Sequence, residues 1–165
     1  MFFQKFILNR HKDEAKLFSL EGRLCLCKVV DVYDGDTCTV IMKNFGKVHK
    51  WRVRMHGYDS PEMKPSLKDK NRDIEKAKAI LAKEYLINLV GVSEQRCCRG
   101  GGGGFVYIKC GKFDKYGRLL GTLYKSRWRI SRQKSINQLM IEKGHGYPYD
   151  GGTKQHKVFI LHQNE

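Results

Sequence analysis

From Leu24 to Met55, short apolar and alternating stretches rich in Val, Ile, Cys and Tyr are interrupted by Asp34, Gly35 and Asp36 and again by Asn44, Phe45 and Gly46. A period of two with turn residues between predicts three consecutive antiparallel strands, at about 22–33, 37–44 and 47–57. Between Asn71 and Val90 the period lengthens. Ile74, Ala77, Leu81, Tyr85 and Leu89 share one stripe with Lys and Glu opposite, and Gly91 stands where a C-cap belongs. This predicts the longest helix, with that stripe as its apolar face. Phe105 to Cys110 and Leu119 to Tyr124 are again strand-like. Ser135 followed three residues later by Gln138 makes a capping box for a helix over Ile136 to Lys143, stopped by Gly144. A short final helix is expected from about Thr153.

The order strand, strand, strand, helix, strand, strand, helix predicts an α+β fold, a small five-stranded OB-type Greek-key β-barrel with about three helices packed outside. Without helical crossovers, a doubly wound sheet is disfavoured. A length of 165 residues suits one core and hence one site. Residues 1–18 read as an N-terminal extension and 19–165 as the domain. The five-glycine run Gly100 to Gly104, preceded by Cys97, Cys98 and Arg99, predicts a flexible loop between the long helix and the fourth strand. Arg127, Trp128, Arg129 and Ile130 alternate at strand period. They predict either a basic ribbon with Trp128 as a stacking platform or a hairpin whose Trp covers the barrel.

Charge changes the picture next. Lys plus Arg number 32 against 17 Asp plus Glu, a formal +15, so the summed field attracts polyanions unless it serves solubility alone. The apolar residues before Phe18 are broken by Lys5, Arg10, Lys12, Asp13 and Glu14, which leaves no signal-peptide core, and no other stretch reaches membrane-span length. An intracellular protein is expected. A membrane-surface role fails for want of a basic amphipathic helix with a large apolar face. The six cysteines read as reduced thiols, because neighbouring Cys97 and Cys98, or Cys25 and Cys27 on one strand, are poorly spaced for bridging. A zinc site is the alternative, but no Cys-x-x-Cys spacing supports it.

Asp34, Gly35, Asp36 and Thr37 lie between the first two strands, and Asp59, Ser60, Pro61 and Glu62 follow the third. Each cluster alone is an ordinary turn. In a closed barrel the two become neighbours, so Asp36 and Asp59 can converge on one hard cation, which demands oxygen ligands and negative charge. Arg54 and Arg118, alone no more than surface charges, then acquire a use. Phosphodiester hydrolysis needs a metal, guanidinium forks for the equatorial charge and a carboxylate for the water. Glu62 is the candidate base.

Four stretches, VVDVYDGDT from Val29, RVRMHGYDSPE from Arg52, FDKYGRLLGTLY from Phe113 and INQLMIEKGHGYPYDGGTK from Ile136, stand in the order and near the spacings of staphylococcal nuclease-like domains. The chain resembles that thermonuclease family from about Gly22 to Lys154. The resemblance implies one Ca2+ held by Asp36, Asp59 and the carbonyl of Ser60, with Asp34 just outside the shell. It implies Glu62 as general base, and Arg54 and Arg118 as the clamp on the scissile phosphate. Lys115, Tyr116 and Tyr147 would hold a terminal or neighbouring phosphate, and Tyr149 would stack on a base. The implied protein is a monomeric, calcium-dependent endo/exonuclease. It would cleave single-stranded or fraying DNA and RNA with little sequence preference, leaving 3′-phosphate ends. The rival class is a catalytically inactive OB-fold module that only binds nucleic acid. A pure binder has no use for Asp36, Asp59 and Glu62, which repel phosphate. The sequence departs from the family in having Ser at position 60 where many members have Thr, and in longer connections at Val92 to Gly104 and Lys125 to Lys134.

Overall fold

The computed structural model describes residues 2–67, 70–92, 104–128 and 130–150. Helix α1, Phe2–Arg10, buries none of its residues. Strands β1 (Leu24–Val32), β2 (Thr37–Asn44) and β3 (Lys47–Met55) form an antiparallel meander. A two-residue strand β4, Tyr58–Asp59, follows, then helix α2, Arg72–Val90. Strands β5 (Phe105–Phe113) and β6 (Leu119–Tyr124), helix α3 (Ile136–Glu142) and a short β7 (Tyr147–Pro148) complete the order. The sheet closes as β1-β2-β3-β6-β5, with β3 and β6 parallel. This is the α+β five-stranded barrel that the pattern predicts.

Alternation explains the wall. Cys38, Val40 and Met42 of β2 point into the core with Val53 and Met55 of β3, leaving Thr37, Thr39, Arg52 and Arg54 on the outer face. Across the strands, Thr37 is opposite Arg54 and Thr39 opposite Arg52. Val29, Val32, Val106, Ile108, Leu119 and Leu123 fill the rest of the barrel.

Helix α2 ends where Gly91 adopts a left-handed conformation at φ 69° and donates its N–H to Ile87 O at 3.0 Å, which glycine does at no steric cost. Its buried face is Ala79, Ala82, Leu86 and Val90, and of the expected stripe only Tyr85 and Leu89 pack, partly buried, against the core. Ile74 and Leu81 are more than half exposed. Close approach to the barrel selects the face with alanines, where helix and hairpin meet with little between them.

Helix α3 carries the expected capping box. Gln138 N–H donates to Ser135 Oγ at 3.1 Å, and Ser135 N–H donates to Gln138 Oε1 at 2.9 Å. Its buried Asn137 donates to His56 O and Gly121 O and accepts from Leu123 N–H. One side chain thereby fixes the exit of β3 against β6, which sets where β4 begins.

The stretch around Trp128 is neither ribbon nor hairpin. Its described residues form bends and turns, pinned where Gln133 Nε2 donates to Ser126 O and Trp128 O. Trp128 is 83% exposed, so it is not a cover for the barrel. Arg129, the glycine loop up to Gly103 and the expected helix from Thr153 lie outside the described residues. Cys25, Cys27, Cys38 and Cys110 are free thiols. No described helix is long and apolar enough to cross a membrane.

Candidate active site

The first hairpin is built to present one carboxylate. Tyr33 N–H donates to Thr37 O at 2.9 Å, and Asp34 Oδ1 accepts from Asp36 N–H at 3.0 Å. Met55 N–H donates to Asp36 O at 2.7 Å, stitching the turn to β3. Gly35 lies so close to the helix that a Cβ there would meet Ala82 Cβ and Ser60 Cβ, each at 2.8 Å. Only glycine allows that contact.

Asp36, only 2% exposed, therefore faces β4. Its Oδ2 accepts from Ser60 N–H at 2.9 Å and Ser60 Oγ at 3.0 Å, and its Oδ1 from Thr37 Oγ1 at 2.9 Å. Arg54 extends from β3 between the clusters and forks, Nη1 to Asp36 Oδ1 and Nη2 to Asp59 Oδ1. Asp59 has no solvent exposure, and its Oδ2 accepts from Tyr147 Oη at 2.8 Å. Strand β4 pairs with β7, placing Asp59 opposite Tyr147. Tyr58 Oη donates to Gly35 O at 2.6 Å.

Two buried carboxylates thus share one guanidinium. Burial and the neighbouring Asp34 push the Asp36 carboxyl up to about 7, against the opposing pull of Arg54 and the Ser60 N–H. Burial works against the charge on Arg54, but Asp36 and Asp59 outweigh it and raise its pKa. Burial and the bond to Asp59 raise the Tyr147 hydroxyl. With both carboxyls ionised, the cluster holds one negative charge more than its arginine offsets. That excess, and an all-oxygen donor set, fit a hard cation. Among the described residues no group of three or more His, Cys, Asp or Glu is placed to hold a metal, so a cation here would have only these two carboxylates, backbone carbonyls and water to rest on.

Arg118 is positioned from the turn before β6. Asp114 accepts from the backbone N–H groups of Tyr116 and Arg118 at 2.9 and 2.8 Å, and from Arg118 Nε at 2.7 Å. Burial alone would raise the Asp114 carboxyl. The hydrogen bonds from Arg118 and Tyr116 and the guanidinium charge lower it instead. The Arg118 guanidinium lies 5.4 Å from the centre of the Tyr116 ring, and Lys115 Nζ lies 5.1 Å from it. Arg118, Asp34 and Thr37 line one cleft. Glu62 is exposed, and its N–H donates to Glu75 Oε1 on α2 at 3.2 Å. Tyr149, half-buried, is anchored by its N–H to Gly57 O at 3.1 Å.

Of the residues singled out from sequence, Asp36, Asp59, Ser60, Arg54 and Tyr147 form one bonded cluster. Lys115, Tyr116 and Arg118 form a second on the β5–β6 turn, and Glu62 and Tyr149 flank β4. Asp114 and Thr37 were missed as supporting groups. An aspartate two residues before a tyrosine and four before an arginine, at a turn, is the signal that reveals Asp114. Nothing local reveals Asp31, Tyr33, Thr39 or Arg52, which line the cleft beside Arg118.

Comparison with curated proteins finds no match. The family model for staphylococcal nuclease homologues matches residues 52–163, a span that includes Arg54, Asp59, Ser60, Glu62, Arg118, Tyr147 and Tyr149. Asp36 lies ahead of that span and joins the cluster through its bonds to Ser60 and Arg54. The chain belongs to the staphylococcal nuclease homologue family.

Proposed function

We propose that this chain is a metal-dependent nuclease that hydrolyses phosphodiester bonds of DNA and RNA with little sequence preference and leaves 3′-phosphate ends. The observation that carries the reading is the buried pair Asp36 and Asp59 around Arg54, with Arg118 separately braced at the adjoining cleft. Burying two carboxylates is costly unless they are matched by positive charge. A module that merely held a polyanion would gain nothing from them.

In this reading Asp36, Asp59 and the Ser60 carbonyl hold one calcium ion, whose charge when bound polarises a phosphoryl oxygen. Arg118 and Arg54 grip the phosphate, and their guanidiniums strengthen their hold as charge grows on the five-coordinate phosphorus. Glu62 takes the proton of the attacking water. Lys115, Tyr116 and Tyr147 hold the neighbouring phosphate, and Tyr149 offers a base a stacking face. Residues 19–165 form the catalytic unit, a monomer, and residues 1–18 are an extension. Single-stranded or fraying nucleic acid is the expected substrate.

The test is incubation with plasmid, single-stranded DNA and RNA, in calcium and in chelator, beside Arg118→Ala. Calcium-dependent cleavage that falls by about 100-fold or more in the variant is expected. Tight binding without cleavage in any buffer would make the chain a binding module instead.

A further inference from the structure

Beside the proposed scissile site, a cleft of about 340 Å³ is lined by Asp31, Tyr33, Asp34, Thr37, Thr39, Arg52 and Arg118. Strand register explains its order. Asp31 pairs with Thr39, and Thr39 pairs with Arg52. Leu119 pairs with Val53 in the parallel β3–β6 ladder, so Arg118 stands level with Arg52 on the next strand. One row therefore runs Asp31, Thr39 and Arg52 across three strands to Arg118, the residue that enters β6. The row above it runs from Tyr33 through Thr37 to Arg54, one side-chain step of about 7 Å along the strands.

This lining is zwitterionic and graded. Two guanidiniums stand together at one side, Arg118 fixed by Asp114 and Arg52 with no ion-pair partner among the described residues. Asp114 offsets part of the Arg118 charge, and the charge of Arg52 is left for an anion. At the other side the carboxylate of Asp31 rejects phosphate and accepts N–H donors. Tyr33, 59% exposed, presents a ring beside it. A phosphate at one end, an aromatic surface in reach and a carboxylate acceptor at the other end, with Asp34 lining the cleft between the first two strands, match one nucleotide.

We propose that this cleft is a nucleotide subsite adjoining the scissile phosphate, on the β1–β2–β3 face, with none of Lys115, Tyr147 and Tyr149 in its lining. Arg52 joins Arg118 on the scissile phosphate, Tyr33 stacks on the base of the flanking nucleotide, and Asp31 accepts a hydrogen bond from its exocyclic amino group. The subsite therefore favours adenine, cytosine or guanine over thymine at one position flanking the cleaved bond. It rests on the nuclease reading for its neighbour, but the cleft binds a nucleotide whether or not the bond is cut.

The experiment has a cleavage arm and a binding arm. In the first, the full chain digests a random single-stranded DNA pool in calcium, and product ends are sequenced. Wild type is expected to disfavour thymine about fivefold at one flanking position, the worth of one hydrogen bond. Asp31→Ala, an exposed change, should reduce that ratio to near one. An unbiased wild type, or the same bias in the variant, overturns the proposal. In the second arm, anisotropy in chelator compares oligo-dC with oligo-dT. A preference for dC of about fivefold, lost in Asp31→Ala, is expected, together with about tenfold weaker binding of either in Tyr33→Ala. Equal affinities in wild type overturn the subsite. A protein that shows this binding pattern but cuts nothing loses the nuclease reading and keeps the subsite. A parallel digest of matched RNA and DNA pools checks the acceptor's partner. If Asp31→Ala alters the ribose to deoxyribose ratio and leaves the base ratio unchanged, Asp31 reads a sugar hydroxyl and the base assignment fails.

Discussion

Tyr147 donates its hydroxyl to Asp59 at 2.8 Å, joining residues 88 apart in the chain. The bond lies where β7 lies against β4, so it both closes the two-stranded sheet and supports a carboxylate that has no contact with solvent. Tyr147→Phe keeps the ring and deletes the donor. Stability in urea should fall by about 1.5–3 kcal/mol, the worth of a hydrogen bond to a charged group. A loss below about 0.5 kcal/mol would mean that water or another donor replaces the hydroxyl.

The barrel was legible because alternation leaves little choice. A one-residue slip in β2 would turn Cys38, Val40 and Met42 outward. The acidic clusters and the two arginines were legible as residue types at suggestive places. Their bonding was not, because Asp36 meets Ser60 only through the contacts that close the barrel, across 24 residues. The buried face of α2 was misread because apolar periodicity ranks size. The barrel instead selects Ala79 and Ala82, which let the helix approach the hairpin. Strand β4 and its pairing with β7 were hidden by their length, two residues each.

That approach makes Gly35 a sharp test. A methyl group there must displace Ala82 or Ser60, both at 2.8 Å from an added Cβ, and neither atom is the end of a flexible chain. Gly35→Ala should cost roughly 1–3 kcal/mol. It should also depress cleavage by more than the change in folded fraction explains, since it pushes Asp36 from Ser60. Thermal melts together with turnover of the folded fraction separate the two effects. Unchanged turnover per folded molecule would show that the spacing does not matter to the chemistry.

Asp114 is a positioning residue for Arg118. Its folded pKa is depressed, so its contribution to stability is present above the unfolded carboxylate value, about 4, and is lost as pH falls through the folded value. Asp114→Asn keeps the shape and removes the charge. Its urea midpoint should decline less than the wild type's as pH drops from about 4 towards 2. At neutral pH, turnover should fall roughly tenfold while KM changes little, because the aim of Arg118 matters most in the transition state. An acid limb identical to the wild type's would show that the ion pair carries no linkage.

Arg54 holds one oxygen on each of the two carboxylates that the nuclease reading gives to calcium. A cation and this fork therefore compete for the same atoms, and occupancy of the site should free Arg54 towards phosphate. Removing the fork then has two opposite effects. Without metal, Arg54→Ala takes from buried Asp36 and Asp59 the guanidinium they share, and stability should fall by about 3–5 kcal/mol. With metal, the competitor is gone, so the affinity for calcium should rise roughly tenfold. Turnover should nevertheless drop by about 100-fold or more, because a charge on the transition state is lost. Thermal melts across a calcium titration read the first two effects without reference to activity. Arg54→Lys, which keeps a charge but reaches only one carboxylate, should fall between wild type and alanine in both. A calcium-induced rise in Tm that follows the same concentration curve in all three proteins would show that the cation does not bind where the fork lies, and would remove Asp36 and Asp59 as its ligands.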